Sequence, residues 1–385
     1  QWNKIMKNIA FYKHNLNSNY TKYISKVLKS NFLTSGNVCK KTEKEISRFF
    51  DVNYCLLTNS WTNGALATLM ALGIKKGDEV IIPAMTFVAT ANVIEILGAK
   101  PRFVDVDPKT LLLDLDKTLK AINKKTRAIM PVHLYGNMVD IKKLNQKIKT
   151  FKKKIYIIED SAHCFEGKFN NYLSGKWSDC AIFSFYATKN ITCGEGGAII
   201  TNNKDLYKKI SEIRVHGMTK SAIDRFVKKK YTLWNMNRLG IKANMPDILA
   251  SLLSKQIKDV YKNLKLREKA YNYYNKLLNG LDIVTPKINK KCKSAYHLYV
   301  IHVKPKIRNN VLSYLNNFNI GATVNYLSVT SLNYYKKKYK LKNDDYPVST
   351  KWGNGTISIP FYPTIKKNDQ EYIIKKLIEA KRKYE

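Results

Sequence analysis

The sequence predicts an α/β protein in which a mostly parallel, mixed sheet covered by helices forms a larger unit and a smaller α+β unit follows. Two observations predict this fold class. Short apolar runs with the length of buried strands alternate with helix-length segments up to about residue 201, which is typical of βαβ units. After about residue 244 the pattern changes to a long helical stretch and then to further strands and helices. With 385 residues, the chain is long enough for two or three packing units.

The strands of the larger unit are predicted from apolar runs, and its helices from amphipathic segments beside them. The runs lie at 54–58, 79–84, 101–107, 127–134, 154–160, 180–185 and 197–201. Helices are predicted at 42–50, 64–72 and 140–150. Because helices separate most of the strands, neighbouring strands are expected to run parallel and to be buried on both faces.

The smaller unit is predicted to begin with a helical stretch at 245–278, where Leu, Ile and Tyr recur at helical spacing. Strands are then predicted at 297–303, 322–327 and 356–360, and helices at 309–317 and 368–381. The predicted division of the chain is an N-terminal segment at 1–31, a large domain at 32–250 and a small C-terminal domain at 251–385.

The charge balance is strongly basic, with 68 Lys and Arg against 29 Asp and Glu and a formal net charge of +39. Only nine of the basic residues are Arg, so 59 are Lys, and they are spread along the whole chain. Arg is the better ligand for phosphates and base edges, and this composition therefore favours a solvated lysine surface over nucleic-acid binding. Anionic substrates would still be attracted to such a protein.

The cysteine pattern and the hydropathy indicate a cytoplasmic protein. The six Cys are scattered, without a C-x-x-C pair or a neighbouring His at metal-ligand spacing, which favours reduced thiols and no metal site. The first residues lack the apolar core of a signal peptide, and no run approaches the roughly 18 apolar residues of a membrane span. We therefore expect no membrane association.

Chemically matched side chains follow the predicted strands at their carboxyl ends, where open α/β sheets bind ligands. The strand at 154–160 ends in Glu159 and Asp160, and His163 follows. A carboxylate at this position would hold the proton of a pyridinium nitrogen. The alternative is that Asp160 only caps a helix.

Lys189 differs from the other lysines in its setting. It lies in a loop after Ser184, between two apolar strands, and the glycine-rich turn at 194–197 follows. Burial in such a loop lowers the pKa of a lysine and makes its amine a nucleophile for an aldehyde. The alternative, a solvated surface charge, describes most lysines in this chain.

Two further segments suit a planar, phosphorylated ligand. Ser60, Thr62, Asn63 and Gly64 follow a strand and begin a helix, so hydroxyl and backbone N–H groups would face an anion there. Phe87 ends the segment after another strand and would stack on a flat ring. An ordinary helix cap and a core phenylalanine are the respective alternatives.

The ordered set of these segments resembles the DegT/StrS-type sugar aminotransferases. The matching stretches are SWTNGAL, GDEVIIPAMTFVATAN, GAKPRFVDVD, PVHLYGN, IIEDSAHCFEG, SDCAIFSFYATKNITCGEGGAIIT, RVHGM and GIKANMPDILASLL, and they cover about residues 32–260. Each is weak alone, but their order and spacing are specific. The resemblance implies a type I aminotransferase fold, pyridoxal 5'-phosphate as cofactor, and a homodimer with active sites at the subunit interface.

The resemblance also implies a role for each matching residue around the cofactor ring. Lys189 corresponds to the lysine that binds the cofactor covalently and then acts as general acid and base. Asp160 corresponds to the partner of the pyridine nitrogen. His163 corresponds to the residue beside the phenolic oxygen, and Phe87 to the residue that stacks on the ring.

The phosphate-binding positions of the family fall on Thr62, the Asn63 backbone and Ser184, with Asn244 reaching in from the second subunit. A cap for the helix beginning near Pro246 is the alternative role for Asn244. Trp61 stands where the family usually has a small residue, which puts the local loop geometry in doubt.

Family members usually transfer an amino group from glutamate to a keto group on a nucleotide-linked deoxysugar. The stretch HGMTKSAIDRF, with Asp224 and Arg225, resembles members that act at C4 of the sugar more than those that act at C3. Relatives with His in place of the lysine catalyse dehydration, and Lys189 argues against that reaction. Asn325 and Ser328 depart from the His-Tyr and Pro pattern of many 4-aminotransferases, so substrate contacts there stay open.

The sequence thus predicts an enzyme that aminates a nucleotide-linked 4-keto-6-deoxysugar for a cell-surface glycan. A sugar 3-aminotransferase and a cyclitol or amino-acid aminotransferase are alternatives on the same fold. A non-enzymatic, basic protein that binds nucleic acid or has a regulatory role is an alternative from another class. The absence of interleaved aromatic and Arg residues counts against it.

Overall fold

A seven-stranded mixed sheet forms the centre of the larger unit in the computed structural model, which describes residues 8–219, 226–227, 230–231 and 233–385. The strands are β1 Tyr54–Thr58, β2 Glu79–Pro83, β3 Lys100–Val104, β4 Thr126–Ile129, β5 Tyr156–Asp160, β6 Lys168–Phe169, β7 Cys180–Ser184, β8 Gly197–Thr201, β9 Phe226–Val227, β10 Lys230–Tyr231, β11 Cys292–Lys293, β12 Tyr299–His302 and β13 Thr356–Ile359. The central sheet has the order β1-β8-β7-β5-β4-β2-β3.

Helices cover both faces of this sheet. The helices of the described residues, in both units, are α1 Thr21–Leu28, α2 Asn37–Phe50, α3 Trp61–Ala71, α4 Ala89–Ile96, α5 Leu115–Ala121, α6 Ile141–Ile148, α7 Lys204–Ile213, α8 Asp247–Ala250, α9 Leu253–Leu278, α10 Arg308–Asn317, α11 Asn333–Tyr339, α12 Pro347–Gly355 and α13 Lys367–Tyr384. No helix in the described ranges is long and apolar enough to cross a membrane.

Successive side chains of a central strand enter different cores because strand residues alternate between the two faces of a sheet. In β7, Cys180 and Ile182 pack with α3 and α7, whereas Ala181 and Phe183 pack with α2 and α9. Both faces of the strand are therefore apolar, as the continuous apolar run predicted.

Strand directions bring the functional segments to one edge of the sheet. The neighbours from β7 through β5, β4 and β2 to β3 are parallel. Strand β8 is antiparallel to both β7 and β1, so β1 runs in the same direction as β7. The carboxyl ends of β1, β2, β5 and β7 consequently lie at the same edge.

The smaller unit has its own core. The antiparallel pair β12 and β13 packs with α9, α10 and α13 around a cluster that includes Tyr274, Ile301 and Ile373. Ile9 also belongs to this cluster, and its segment pairs with Ile320. The division of the chain at residue 250 stays a prediction.

Some predicted elements differ from the structure. The strand predicted at 322–327 does not form, because only Thr323 pairs with Ser358 before the chain turns towards the sheet edge. The strand predicted at 127–134 ends at Ile129, since Pro131 has no N–H to donate to a neighbouring strand. The helical stretch predicted at 245–278 is interrupted between α8 and α9.

The helix predicted at 42–50 begins earlier, at Asn37. Its first N–H groups are capped by a side chain from far along the chain. The Asp247 carboxylate accepts hydrogen bonds from the backbone N–H groups of Gly36, Val38 and Cys39 at 2.8, 3.1 and 2.9 Å. A carboxylate also interacts favourably with the N-terminal end of the helix dipole, so this contact adds a turn to α2.

Candidate active site

The acid pair at the end of β5 divides between the two faces of the strand. Glu159 is buried against His133, whose Nε2 lies 2.7 Å from Glu159 Oε2. The other carboxylate oxygen of Glu159 accepts hydrogen bonds from Gly175 and Ser178. Glu159 is thus held by the fold, whereas Asp160 ends the strand at the edge where β1, β2 and β7 also end.

Asp160 is a buried carboxylate held in one orientation. Thr90 Oγ1 donates to Asp160 Oδ2 at 3.0 Å, and the Ala162 N–H donates to Oδ1 at 3.1 Å. Burial raises the pKa of Asp160 to about 6, although these two hydrogen bonds and the charge of Lys189 act in the opposite direction. The carboxylate therefore gains from a cationic partner at this edge.

Thr90 was not identified from the sequence. Thr86 Oγ1 lies 2.9 Å from Thr90 Oγ1, and both hydroxyls are buried. Because Thr90 donates its proton to Asp160, Thr86 donates to Thr90. Two threonines four residues apart, one just before α4 and one in its first turn, are the signal that would have found them.

Lys189 lies in the loop between β7 and β8, at the same edge. Its backbone N–H donates to the Tyr186 carbonyl at 2.9 Å, which closes a turn. Burial lowers the pKa of the Lys189 amine to about 8, and Asp160 acts against this shift. The charge of Lys189 in turn lowers the pKa values of Asp160 and His163. The amine is therefore near the carboxylate and available as a nucleophile close to neutral pH.

His163 contributes a neutral imidazole. Its Nδ1 accepts a hydrogen bond from the Tyr135 backbone N–H at 3.2 Å, and its Nε2 lies 3.1 Å from Tyr326 Oη. Burial and the Lys189 charge hold the pKa of His163 well below its ordinary value. The Nε2 atom consequently carries the proton and donates to Tyr326.

Phe87 presents its ring at this edge and is 54% exposed. Its centroid lies 5.6 Å from that of Tyr326. Tyr326 is therefore a neighbour of both Phe87 and His163. The sequence does not predict this, because the pattern of the segment indicates a strand. Tyr135 Oη donates to the Asn325 carbonyl at 2.5 Å. Ser328 Oγ donates to the Ala84 carbonyl at 3.3 Å and fastens this segment to the end of β2.

The beginning of α3 lies beside Ser184. Ser60 caps the helix, and its hydroxyl accepts the Asn63 N–H at 3.1 Å. Ser184 pairs with Gly197, where an added Cβ would lie 2.8 Å from the Ser60 carbonyl carbon. The Ser184 hydroxyl and the first turn of α3, with Thr62, thus face the same space. The Asn63 N–H already has an acceptor in Ser60.

Trp61 does not disturb this loop. Its side chain is 6% exposed and belongs to the core cluster between the sheet and α7. The indole therefore points away from the edge, and Thr62 keeps its place in the first turn of α3.

Asn244 lies next to β1. It forms a bridge with Thr58, and its side-chain amide donates to Ser35 Oγ at 2.6 Å. Its buried Oδ1 has no hydrogen-bond partner among the described residues. The alternative role as a helix cap is wrong, because α8 begins at Asp247 with Pro246 as its N-cap residue. The segment with Asp224 and Arg225 lies outside the described residues.

These side chains suit pyridoxal phosphate: a nucleophilic amine, a carboxylate that needs a cationic partner, an exposed aromatic ring and hydroxyls at a helix N-terminus. The model of the DegT/DnrJ/EryC1/StrS aminotransferase family matches residues 14–378, which is nearly the whole chain. The chain belongs to this family.

Relatives support the same assignment. The spore coat polysaccharide biosynthesis protein SpsC of Bacillus subtilis is 32% identical over 91% of this chain and 91% of its own. The UDP-4-amino-4-deoxy-L-arabinose–oxoglutarate aminotransferase of Shewanella sediminis is 32% identical over 92% and 94%. The solved structure of the sugar aminotransferase Spr1654 from Streptococcus pneumoniae, in its PMP form, has a TM-score of 0.90 with 28% identity and covers 98% of this chain and 100% of that one.

The member described here is a pyridoxal-phosphate-dependent aminotransferase with the type I fold that the sequence predicted. Spr1654 has also been solved in its PLP form, at a TM-score of 0.90. Because the chain belongs to an aminotransferase family, it is an enzyme, and the non-enzymatic, nucleic-acid-binding alternative is wrong.

Proposed function

We propose that this sugar aminotransferase transfers an amino group from glutamate to the keto carbon of a nucleotide-linked 4-keto-6-deoxysugar, for a surface glycan. The observation that carries the nucleotide link, the C4 position and glutamate as the donor is the similarity, along almost the whole chain, to an enzyme whose name states a UDP-linked 4-amino sugar and oxoglutarate. The 6-deoxy carbon of the proposed sugar rests on the resemblance to the family. Oxoglutarate is what glutamate becomes when it gives up its amino group.

The residues at the sheet edge would divide the chemistry among them. When bound, pyridoxal phosphate supplies an electron sink for the carbanion next to the transferred nitrogen. The Lys189 amine would bind the cofactor and then move the proton at the reacting carbon. Asp160 would keep the ring nitrogen protonated, His163 would contact the phenolic oxygen, and Phe87 would stack on the ring.

The cofactor phosphate would be held by Thr62, Ser184 and the first turn of α3. The first N–H groups of a helix have no intrahelical acceptor, so they suit an anion. The Asn63 N–H already donates to the Ser60 hydroxyl. We therefore expect its hydrogen bond to the cofactor phosphate to be weaker than that of an N–H group without an acceptor.

The charge of the protein supports an anionic, nucleotide-linked substrate. The formal net charge of +39 attracts such a molecule from a distance. The cysteines support a cytoplasmic enzyme, because all six are free thiols and five of them are buried.

The test is a panel of UDP-, GDP- and dTDP-linked ketosugars with glutamate as donor. We expect a nucleotide-linked 4-keto-6-deoxysugar to be aminated and the free sugar to react poorly, because the charged nucleotide supplies binding energy that positions the keto carbon. Product analysis distinguishes amination at C4 from amination at C3. If the whole panel is inert while a free keto acid or a cyclitol is turned over, the sugar assignment is wrong.

We further propose a homodimer in which Asn244 of each subunit completes the phosphate site of the other. The unpartnered Oδ1 of Asn244 shows that this side chain has unused hydrogen-bonding capacity. Exposed apolar side chains lie close to it in the chain or close to its partner: Leu33, two residues before Ser35, is 50% exposed, and Leu239, five residues before Asn244, is 75% exposed. Such side chains are typical of a surface that a second copy covers.

Mixing two inactive variants tests the shared site, provided that an Asn244 change alone abolishes activity. A heterodimer of Lys189→Ala and Asn244→Ala chains has one site with both lesions and one site with neither. We therefore expect part of the activity to return on mixing, as measured by the amination assay. If heterodimers form and no activity returns, Asn244 acts within its own chain.

A further inference from the structure

Asn190, the residue after Lys189, is held by three groups from outside its own loop. Its side-chain amide donates to Glu166 Oε1 at 2.6 Å and to the Ala295 carbonyl at 2.7 Å. Its Oδ1 lies 3.2 Å from His297 Nδ1. All the hydrogen-bonding atoms of the amide are therefore used, and its orientation is fixed.

The groups that hold Asn190 are themselves rigid. Ala295 and His297 donate their backbone N–H groups to the Gly136 and Tyr135 carbonyls at 2.9 and 3.0 Å. From α9, Arg267 Nη1 donates to the His297 carbonyl at 3.3 Å. Glu166, Ala295, His297 and Arg267 are at most 4% exposed. The segment at 295–297 is thus fixed from both units of the fold.

His297 links this amide to the second imidazole of the site. An amide oxygen only accepts hydrogen bonds, so His297 Nδ1 carries the proton and donates to Asn190. The centroid of the His297 ring lies 4.3 Å from that of His163. Burial, followed by the neighbouring His163 ring and the charges of Lys189 and Arg267, holds the pKa of His297 well below its ordinary value, so the ring is neutral.

We propose that Asn190 and His297 are positioning residues whose mutual hydrogen bond fixes the Lys189 backbone relative to His163 and keeps the Lys189 amine out of water. The proposal rests on the assignment of Lys189 as the cofactor-binding lysine. The rest of the loop is anchored further away. The Thr192 N–H bonds to Gln256, and the Cys193 N–H bonds to the Phe185 carbonyl. Asn190 is the anchor adjacent to the reactive amine.

The test is the rate at which the cofactor-free enzyme binds pyridoxal phosphate covalently, followed by visible absorbance from pH 6 to pH 10. The reaction needs the neutral amine, so the pH midpoint reports the pKa of Lys189, which burial places at about 8. The charge of Lys189 lowers the pKa values of three titratable groups, Asp160, His163 and His297. These three residues are unchanged in the Asn190→Ala variant. Loss of the anchor admits water to the amine.

For Asn190→Ala we expect the midpoint to rise by about one pH unit, which lowers the binding rate at pH 7 about 10-fold because the neutral fraction falls tenfold per unit. His297→Phe is expected to behave in the same way. His297→Gln can still donate to Asn190 and is expected to stay within about 3-fold of the wild-type rate. The double variant Asn190→Ala with His297→Phe should be no worse than Asn190→Ala alone, since Asn190→Ala already removes the hydrogen bond between the two residues.

Asn137→Ala is the matched control. Asn137 is likewise an amide that bonds to a segment distant in sequence: it is buried, donates to the Lys287 carbonyl at 3.1 Å and accepts the Asn289 N–H at 3.1 Å. Its loss is expected to lower the melting temperature without moving the midpoint. The inference is overturned if the control moves the midpoint equally, or if the Asn190 and His297→Phe variants keep the wild-type midpoint.

Borohydride reduction and peptide mapping of the wild-type enzyme separate this inference from the proposal beneath it. If the cofactor is fixed to a lysine other than Lys189, the assignment of Lys189 fails. If it is fixed to Lys189 and the midpoints do not change, only the positioning role fails. Should Asn190→Ala not fold, the contrast between His297→Gln and His297→Phe gives the same decision.

Discussion

Lys189→Ala is expected to abolish transamination and the visible absorbance that the wild-type enzyme gains from covalently bound pyridoxal phosphate. Lys189 is the lysine at the sheet edge whose pKa burial lowers to about 8, and its charge is sensed by Asp160 and His163. Without it, the part of the site that the structure describes has no assigned amine to bind the cofactor or to move a proton at the reacting carbon. Turnover with glutamate and a ketosugar, together with the absorbance spectrum, measures both effects.

Lys153→Ala is the control for the loss of a partly buried lysine. Lys153 donates from Nζ to the Thr126 carbonyl at 2.8 Å, and burial lowers its pKa too. It precedes β5 and therefore lies at the edge of the sheet away from the site. We expect Lys153→Ala to lower stability and to leave turnover nearly unchanged. More than about 1% residual turnover in Lys189→Ala, a loss of less than about 2.7 kcal/mol of barrier stabilisation, would move the assignment to another lysine.

The meeting of Asp160, Lys189 and the beginning of α3 could be predicted from the sequence because it depends on strand direction alone. Buried apolar runs separated by helices indicate parallel strands, and parallel strands bring their carboxyl ends together. The residues that end these runs were therefore candidates before any contact was known. The core of the smaller unit could also be predicted from the sequence, because it is formed in part by apolar residues that recur at helical spacing in α9 and α13.

Contacts between side chains distant in sequence could not be predicted in this way. Asp247 caps α2 from more than 200 residues away, and Thr90 orients Asp160 across 70 residues. Tyr326 was assigned to a strand because its segment is apolar, yet hydrogen bonds to Tyr135 and His163 place it in the site. Local patterns report burial and direction, whereas these contacts depend on which surfaces the fold brings together.

Asp160→Asn is expected to lower turnover by at least about 100-fold. Loss of a group that is preorganised to stabilise charge at a reacting centre typically has an effect of this size. The amide has nearly the same shape and can keep the hydrogen bond from Ala162, but it cannot hold the proton of the ring nitrogen. In the wild type, cofactor affinity should fall as the pH drops through about 6, where the carboxylate becomes neutral. In the variant, affinity should be low and independent of pH in this range, as an absorbance titration with pyridoxal phosphate measures.

The same substitution is expected to stabilise the cofactor-free fold, which separates loss of function from loss of structure. Burial raises the pKa of Asp160 from 3.8 to about 6, so the ionised carboxylate costs the native state up to about 3 kcal/mol. This cost is absent below the unfolded pKa, increases through the interval between the two pKa values and is complete above pH 6. The neutral amide does not have this cost of burying a charge, and the Thr86 and Thr90 hydroxyls can reverse their donor order so that Thr90 accepts the new N–H.

Thermal unfolding of cofactor-free protein at pH 7.5 should therefore give a higher melting temperature for the Asp160→Asn variant than for the wild type, with the difference vanishing near pH 4. An inactive variant that melts below the wild type at pH 7.5 would mean that Asp160 supports the fold, and its catalytic role would need other evidence.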